Sequence, residues 1–116
     1  MCDDRRSEPA DSDLATKRQQ AIGKALRNFA PLIPLSDAKD VLARAGSGSL
    51  KELTPNVAVW LALTSHVRHR FTDYDLFLRD GYDRDAARFF VVEETERQLA
   101  EWGCTRPLIG DDEEEA

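Results

Sequence analysis

The stretch Thr54–Phe71, TPNVAVWLALTSHVRHRF, decides the fold. It opens with threonine then proline, the order favoured at an N-cap and first helical position. Its first half, VAVWLAL, is apolar on nearly every side. Val57, Trp60, Leu61, Thr64, Val67 and Phe71 recur at mostly three- and four-residue steps and form the expected main face. A buried strand also gives an apolar run, but the length, the spacing and the leading proline favour a helix to about Arg70. A helix that is apolar all round belongs inside a protein. This stretch is therefore expected to be the central buried helix.

Reading backwards, Ser36 to about Ala45 carries an apolar stripe of Ala38, Val41, Leu42 and Ala45. Ser36 is placed as its N-cap, Asp37 in its first turn, and Gly46 as a left-handed stop. GSGS, residues 46–49, reads as a flexible connector leading into one short turn at Ser49–Glu52. Before that, Ile22, Ala25, Leu26 and Phe29 share one face of a helix expected from Asp13, with Ser12 as cap, to Pro31. Reading forwards, Thr72-Asp73-Tyr74-Asp75 resembles a capping box and starts a short helix ending at Gly81. Tyr74, Phe77 and Leu78 are expected to point inward. Asp83 then caps one long helix to Trp102, with Phe89, Val92, Thr95, Leu99 and Trp102 as its buried stripe. No period-two alternation bounded by turn residues appears, so no sheet is expected. The fold class is all-α: a compact bundle of four to five helices over residues 13–103. Residues 1–12 are expected to be disordered, and residues 104–116 form an acidic tail.

The 116-residue chain has a formal charge of −6, distributed unevenly. Residues 1–13 hold five acids and two bases, a net of −3; residues 111–115 (DDEEE) add −5. Residues 14–110 hold fourteen bases and twelve acids, a net of +2. Such acidic ends are solvated as a rule. The sharper alternative is a tail that competes with an anionic ligand for a basic face, so that removing residues 110–116 strengthens nucleic-acid binding. Two cysteines, Cys2 and Cys104, placed in the mobile ends, make neither a disulfide framework nor a zinc site. A reduced, cytoplasmic location is expected, with no signal peptide and no membrane span, since the longest apolar run is far shorter than a bilayer requires.

Chemistry concentrates in Thr64–Arg88, which holds both histidines, both tyrosines, five arginines and five aspartates. His66 and His69 lie on one helical face. That face also carries Ala58, Ala62 and Ser65, whose small side chains would let a second helix approach. A metal site needs a third nitrogen or sulfur ligand, and none is near, so no metal or cofactor is expected. Anion binding is favoured by Arg84 and Arg88 at a helix start, with Arg68, Arg70 and the imidazoles converging from the central helix. Asp83 and Asp85 oppose it there. A His–Asp pair could serve acid–base catalysis, but no nucleophile is placed beside it. The plainest alternative is structural: histidines bonded to carbonyls or aspartates, and Arg88 tied to Asp73 or Asp75. The Gly81 turn also has helix-turn-helix spacing, although Phe77 stands where that motif prefers alanine, and aspartates flank Arg84 and Arg88.

The order SHVRHRFTDYD, then LFLRDGYDRDAARFF, then a helix ending near EWG resembles the bacterial and fungal domain-of-unknown-function family 2293. The segments APLIP and LTPNVAVWLALTSH add to the likeness, which covers about Arg18 to Gly103. The resemblance implies a helical fold and marks His66, Arg68, His69, Thr72, Tyr74 and Asp75 as positions that matter to the family. It implies no reaction.

The expectation is a non-catalytic binding module for a phosphate-bearing or acidic ligand. Nucleic acid or an acidic protein would be its partner. The candidate ligand-binding residues are His66, Arg68, His69, Thr72, Tyr74, Asp75, Arg84 and Arg88. The alternatives are a small metal-dependent or His–Asp enzyme, or a purely structural protein-interaction domain.

Overall fold

The computed structural model describes residues 9–105, with side chains from Lys17 onward. The expectations for residues 1–8, for Cys2 and for the acidic run after Thr105 lie outside the described residues. Among the described residues there are six α-helices: α1 (Pro9–Phe29), α2 (Leu35–Ala45), α3 (Pro55–Phe71), α4 (Tyr74–Arg79), α5 (Arg84–Phe90) and α6 (Val92–Glu101). A 3-10 turn, Gly48–Glu52, joins α2 to α3, and no strand occurs among the described residues.

The all-α expectation is met, and α3 is the central element. It packs against α1, α2 and α6, and more lightly against α4 and the 3-10 turn. Thr54 and Pro55 stand at its N-cap and first positions as expected, and it runs one residue past Arg70. Its burial is wider than a single stripe. Ala58, Val59, Trp60, Ala62, Leu63, Thr64, His66 and Val67 are all buried, whereas Val57 and Phe71 are nearly half exposed. The small-residue face is thus covered as fully as the large one. Buried Thr64 satisfies its hydroxyl by donating to the Trp60 carbonyl, 3.0 Å away. From α1, Ile22, Ala25 and Leu26 join this core, and Phe29 meets Trp60 with ring centroids 5.2 Å apart. From α2 come Val41 and Ala45, with Ala38 and Leu42 partly buried.

Several boundaries differ from expectation for physical reasons. α1 begins at Pro9, not Asp13, so residues 9–12 are helical; proline suits the first turn. Gly46 has φ −92°, so it is not a left-handed stop; that conformation falls on Gly48, at φ 59°. Cys104 is not in a mobile end. It is buried in the main core, and its N–H donates to the Leu99 carbonyl.

The largest correction concerns the expected long helix after Asp83. It breaks at Val91, where φ −113° and ψ 13° leave the helical range, giving α5 and α6. Buried positions follow the row Ala87, Val91, Thr95, Leu99, not one through Phe89, which is 74% exposed. The break serves two destinations. Ala87 and Val91 pack with Tyr74, Phe77 and Leu78 in a small second cluster, while Leu99 and Trp102 join the main core. Thr95 Oγ1 donates to the Val91 carbonyl at the break, 2.8 Å away.

Two glycines end helices in the same way. Gly81 N–H donates to Leu78 and Tyr82 N–H to Phe77; Gly103 N–H donates to Ala100 and Cys104 N–H to Leu99. With φ of 106° and 89°, both are left-handed Schellman stops. At the start of α5, Asp83 Oδ1 accepts from Ala86 N–H at 2.8 Å. Asp83→Ala should therefore lower unfolding free energy by about 1 kcal/mol in a urea titration. A change within error would show that this cap carries no stability.

Candidate functional site

The residues singled out in the sequence separate into three places. The first is a groove between α2 and the C-terminal half of α3. Along α2, Asp37, Asp40 and Arg44 follow at three- and four-residue steps, and Ser47 continues the same line beyond the helix. Along α3, His66, His69 and Arg70 share a face. Asp40, Arg44, Ser47, His66, His69 and Arg70 line an open depression of about 500 Å³. That volume falls in the range of small-molecule sites. A larger groove of about 750 Å³, lined by Arg18, Ile22, Leu42 and Lys51 among others, lies toward α1 and holds neither histidine.

The two histidines have different situations. His66 Nε2 lies 2.8 Å from Asp37 Oδ1, with side chains only 3% and 14% exposed. Its ring also packs beside Phe71 and Trp102, centroids 6.2 and 6.4 Å away, which are themselves 5.4 Å apart. This is a buried, oriented pair. His69 Nδ1 lies 2.7 Å from Asp75 Oδ1, but here the side chains are 36% and 51% exposed. Arg70 and Asp40 approach at 3.6 Å with both side chains mostly in solvent. An exposed pair of that length contributes little and can be exchanged for another anion. The lining therefore holds two guanidinium groups and one carboxylate of its own, while Asp37 and Asp75 stand against the two imidazoles and the Ser47 hydroxyl donates to the Arg44 carbonyl.

The second place is the α3–α4 junction. Thr72 Oγ1 donates to the Arg68 carbonyl and accepts from Tyr74 N–H, tying the end of α3 to the start of α4. The expected capping box is thus incomplete: Asp73 takes the N-cap position, and Asp75 is directed to His69 instead. Arg68 lies over the buried Tyr74 ring, 5.4 Å from its centroid. Arg68, Thr72 and Tyr74 build the junction that holds His69 against Asp75.

The third place is α5. Arg84 and Arg88 are exposed there and are not among the groove-lining residues. No hydrogen bond or ion pair joins these arginines to either histidine among the described residues, and the helix start they occupy packs into the small α4–α5 cluster. Arg88 was expected to reach Asp73 or Asp75, and Asp75 is engaged by His69. With only seven residues and six in α4, these helices also give the helix-turn-helix comparison little to stand on.

The reading from sequence missed Asp37, Asp40, Arg44 and Ser47. Asp37 and His66 are 29 positions apart, so no local spacing joins them. The available signal was the regular polar stripe on α2, together with the small-residue face on α3. Among the described residues, no three His, Cys, Asp or Glu side chains are grouped as a metal would require. No helix among them is long and apolar enough to cross a membrane.

Residues 25–103 match the family model described as Uncharacterized conserved protein (DUF2293). No curated protein and no solved structure matches the chain. The matched span contains α2 to α6 and every residue named above for the groove between α2 and α3.

Proposed function

Because the chain belongs to the Uncharacterized conserved protein family DUF2293, and the matched span holds the whole α2–α3 groove, we propose that it is a small helical binding module for a phosphate-bearing ligand, nucleic acid included. The ligand would lie between α2 and α3. Arg44 and Arg70 supply charge, the His69 edge not facing Asp75 supplies a nitrogen, and Ser47 supplies a hydroxyl. His66 is locked to Asp37 and acts as the floor. The observation that carries this reading is the pair of solvent-exposed guanidinium groups, Arg44 and Arg70, lining one depression beside Asp40, with Asp37 and Asp75 each already engaged by an imidazole. Charge-assisted bonds to phosphate are the strongest such a surface can form. Arg84 and Arg88 lie outside the groove lining and take no part.

The test is anisotropy of a labelled mixed-sequence oligonucleotide with the full chain at low salt, with inorganic phosphate as competitor. The double variant Arg44→Glu/Arg70→Glu should weaken binding by about tenfold or more, and added salt should weaken the parent. Absence of binding, or equal binding by the variant, contradicts the proposal.

One specific observation favours a second reading. Each groove histidine has a carboxylate within 2.8 Å, the arrangement a general base uses. This reading requires turnover of a phosphoester or ester probe that disappears in His69→Ala. Binding without turnover would count against it.

A further inference from the structure

The surface around Gly81 combines exposed rings with exposed charges of both signs. Phe77, Tyr82 and Phe90 form a mutually packed trio, with centroid separations of 5.8, 5.1 and 5.1 Å. Phe89 extends it, 6.1 Å from Phe90. Tyr82 and Phe90 are each 47% exposed, and Phe89 is 74% exposed. Beneath them the second cluster has only three buried residues, Tyr74, Ala87 and Val91. This corner of the molecule therefore covers its rings poorly.

The segment that bears the rings also carries Arg79, Arg84 and Arg88 with Asp80, Asp83 and Asp85, all exposed. None of the six forms an ion pair among the described residues. The balance of sign matters. A surface built for nucleic acid or an acidic protein would carry unopposed positive charge, and three aspartates beside the rings repel phosphate. A two-fold interface has the opposite requirement. The same patch meets itself, so each sign must be present in both copies, placed to face its opposite.

We propose that this patch binds a second copy of the chain, rings against rings, with arginines of one copy facing aspartates of the other. The three exposed rings present roughly 350 Å² per protomer, below the ~800 Å² of a standard interface, so the dimer is weak and concentration-dependent. The groove between α2 and α3 is lined by other residues, so dimerisation and anion binding can be tested separately.

The experiment is sedimentation equilibrium of the full chain from about 10 µM to about 1 mM, concentrations that bracket a weak interface. The expected mass rises from 13.1 kDa toward twice that value. Phe89→Ser, at a position already in solvent, should keep the helical circular dichroism and shift the dissociation constant upward by tenfold or more. Arg84→Asp should weaken self-association as well, and mixing it with Asp85→Arg should restore a dimer. A single 13.1 kDa species throughout overturns the proposal. So does a dimer that Phe89→Ser leaves unchanged, or a parent that stays monomeric while an unlike protein occupies the patch.

Discussion

Replacing His66 by alanine is expected to lower unfolding free energy by about 3 kcal/mol, the effect of removing one member of a buried pair. The loss has two sources. Asp37 keeps a carboxylate that is 14% exposed and now lacks its imidazole. The space left beside Phe71 and Trp102 also forfeits ring contacts made at 6.2 and 6.4 Å. A urea titration of His66→Ala measures the sum. Asp37→Asn, which keeps an oxygen in place, should cost less, and a cycle through the double variant should show strong coupling. His69→Ala is the control. Its pair with Asp75 is well exposed, so stability should change by only ~0–1 kcal/mol while anion binding falls. Equal small effects at both histidines would remove the distinction drawn between floor and contact residue.

Gly103→Ala should be the next most damaging change, at about 2–3 kcal/mol: roughly 1–2 for placing a side chain at positive φ, and the remainder for steric displacement. A Cβ there would lie 2.9 Å from Pro31 Cγ and 3.1 Å from Pro31 Cδ, and a proline ring cannot swing aside. The same place is held by the Leu32 N–H bond to the Trp102 carbonyl, so moving Pro31 disturbs the closure of the α1–α2 link onto α6. Gly81→Ala isolates the conformational part. Its φ is 106°, but no atom lies within 4 Å of the added carbon. It should cost about 1 kcal/mol. Parity between the two variants would mean that the Pro31 contact relaxes freely.

The fold was legible in the sequence wherever one local rule acted alone. Thr54-Pro55 gave the start of α3, Gly81 and Gly103 gave the stops, and Asp83 gave a cap. Legibility failed where two destinations competed for one segment. From Asp83 to Trp102 the apolar pattern admits a continuous helix through Phe89. The chain instead bends at Val91, because Ala87 belongs to one cluster and Leu99 to another. Alanine at position 87 gave little hydrophobic signal, yet it is the residue that is buried.

The candidate site was half legible. His66 and His69 were identified as neighbours, and an aspartate partner was anticipated for them. Their other neighbours come from α2, through a contact across 29 positions that only tertiary packing creates. Arg84 and Arg88 are near His69 in sequence through the α4 turn, but that turn carries them to a different surface. Sequence distance was the wrong measure in both cases.

Anion capture between α2 and α3 is tested most directly by nuclear magnetic resonance of the isotope-labelled full chain, titrated with inorganic phosphate and then with a mixed-sequence oligonucleotide. Amide shifts should gather at residues 40–47 and 66–70, and the His69 imidazole should move more than that of His66. Residues 84–88 should stay still at a fixed protein concentration. No movement in the groove under either addition, or movement confined to residues 81–88, would contradict the assignment.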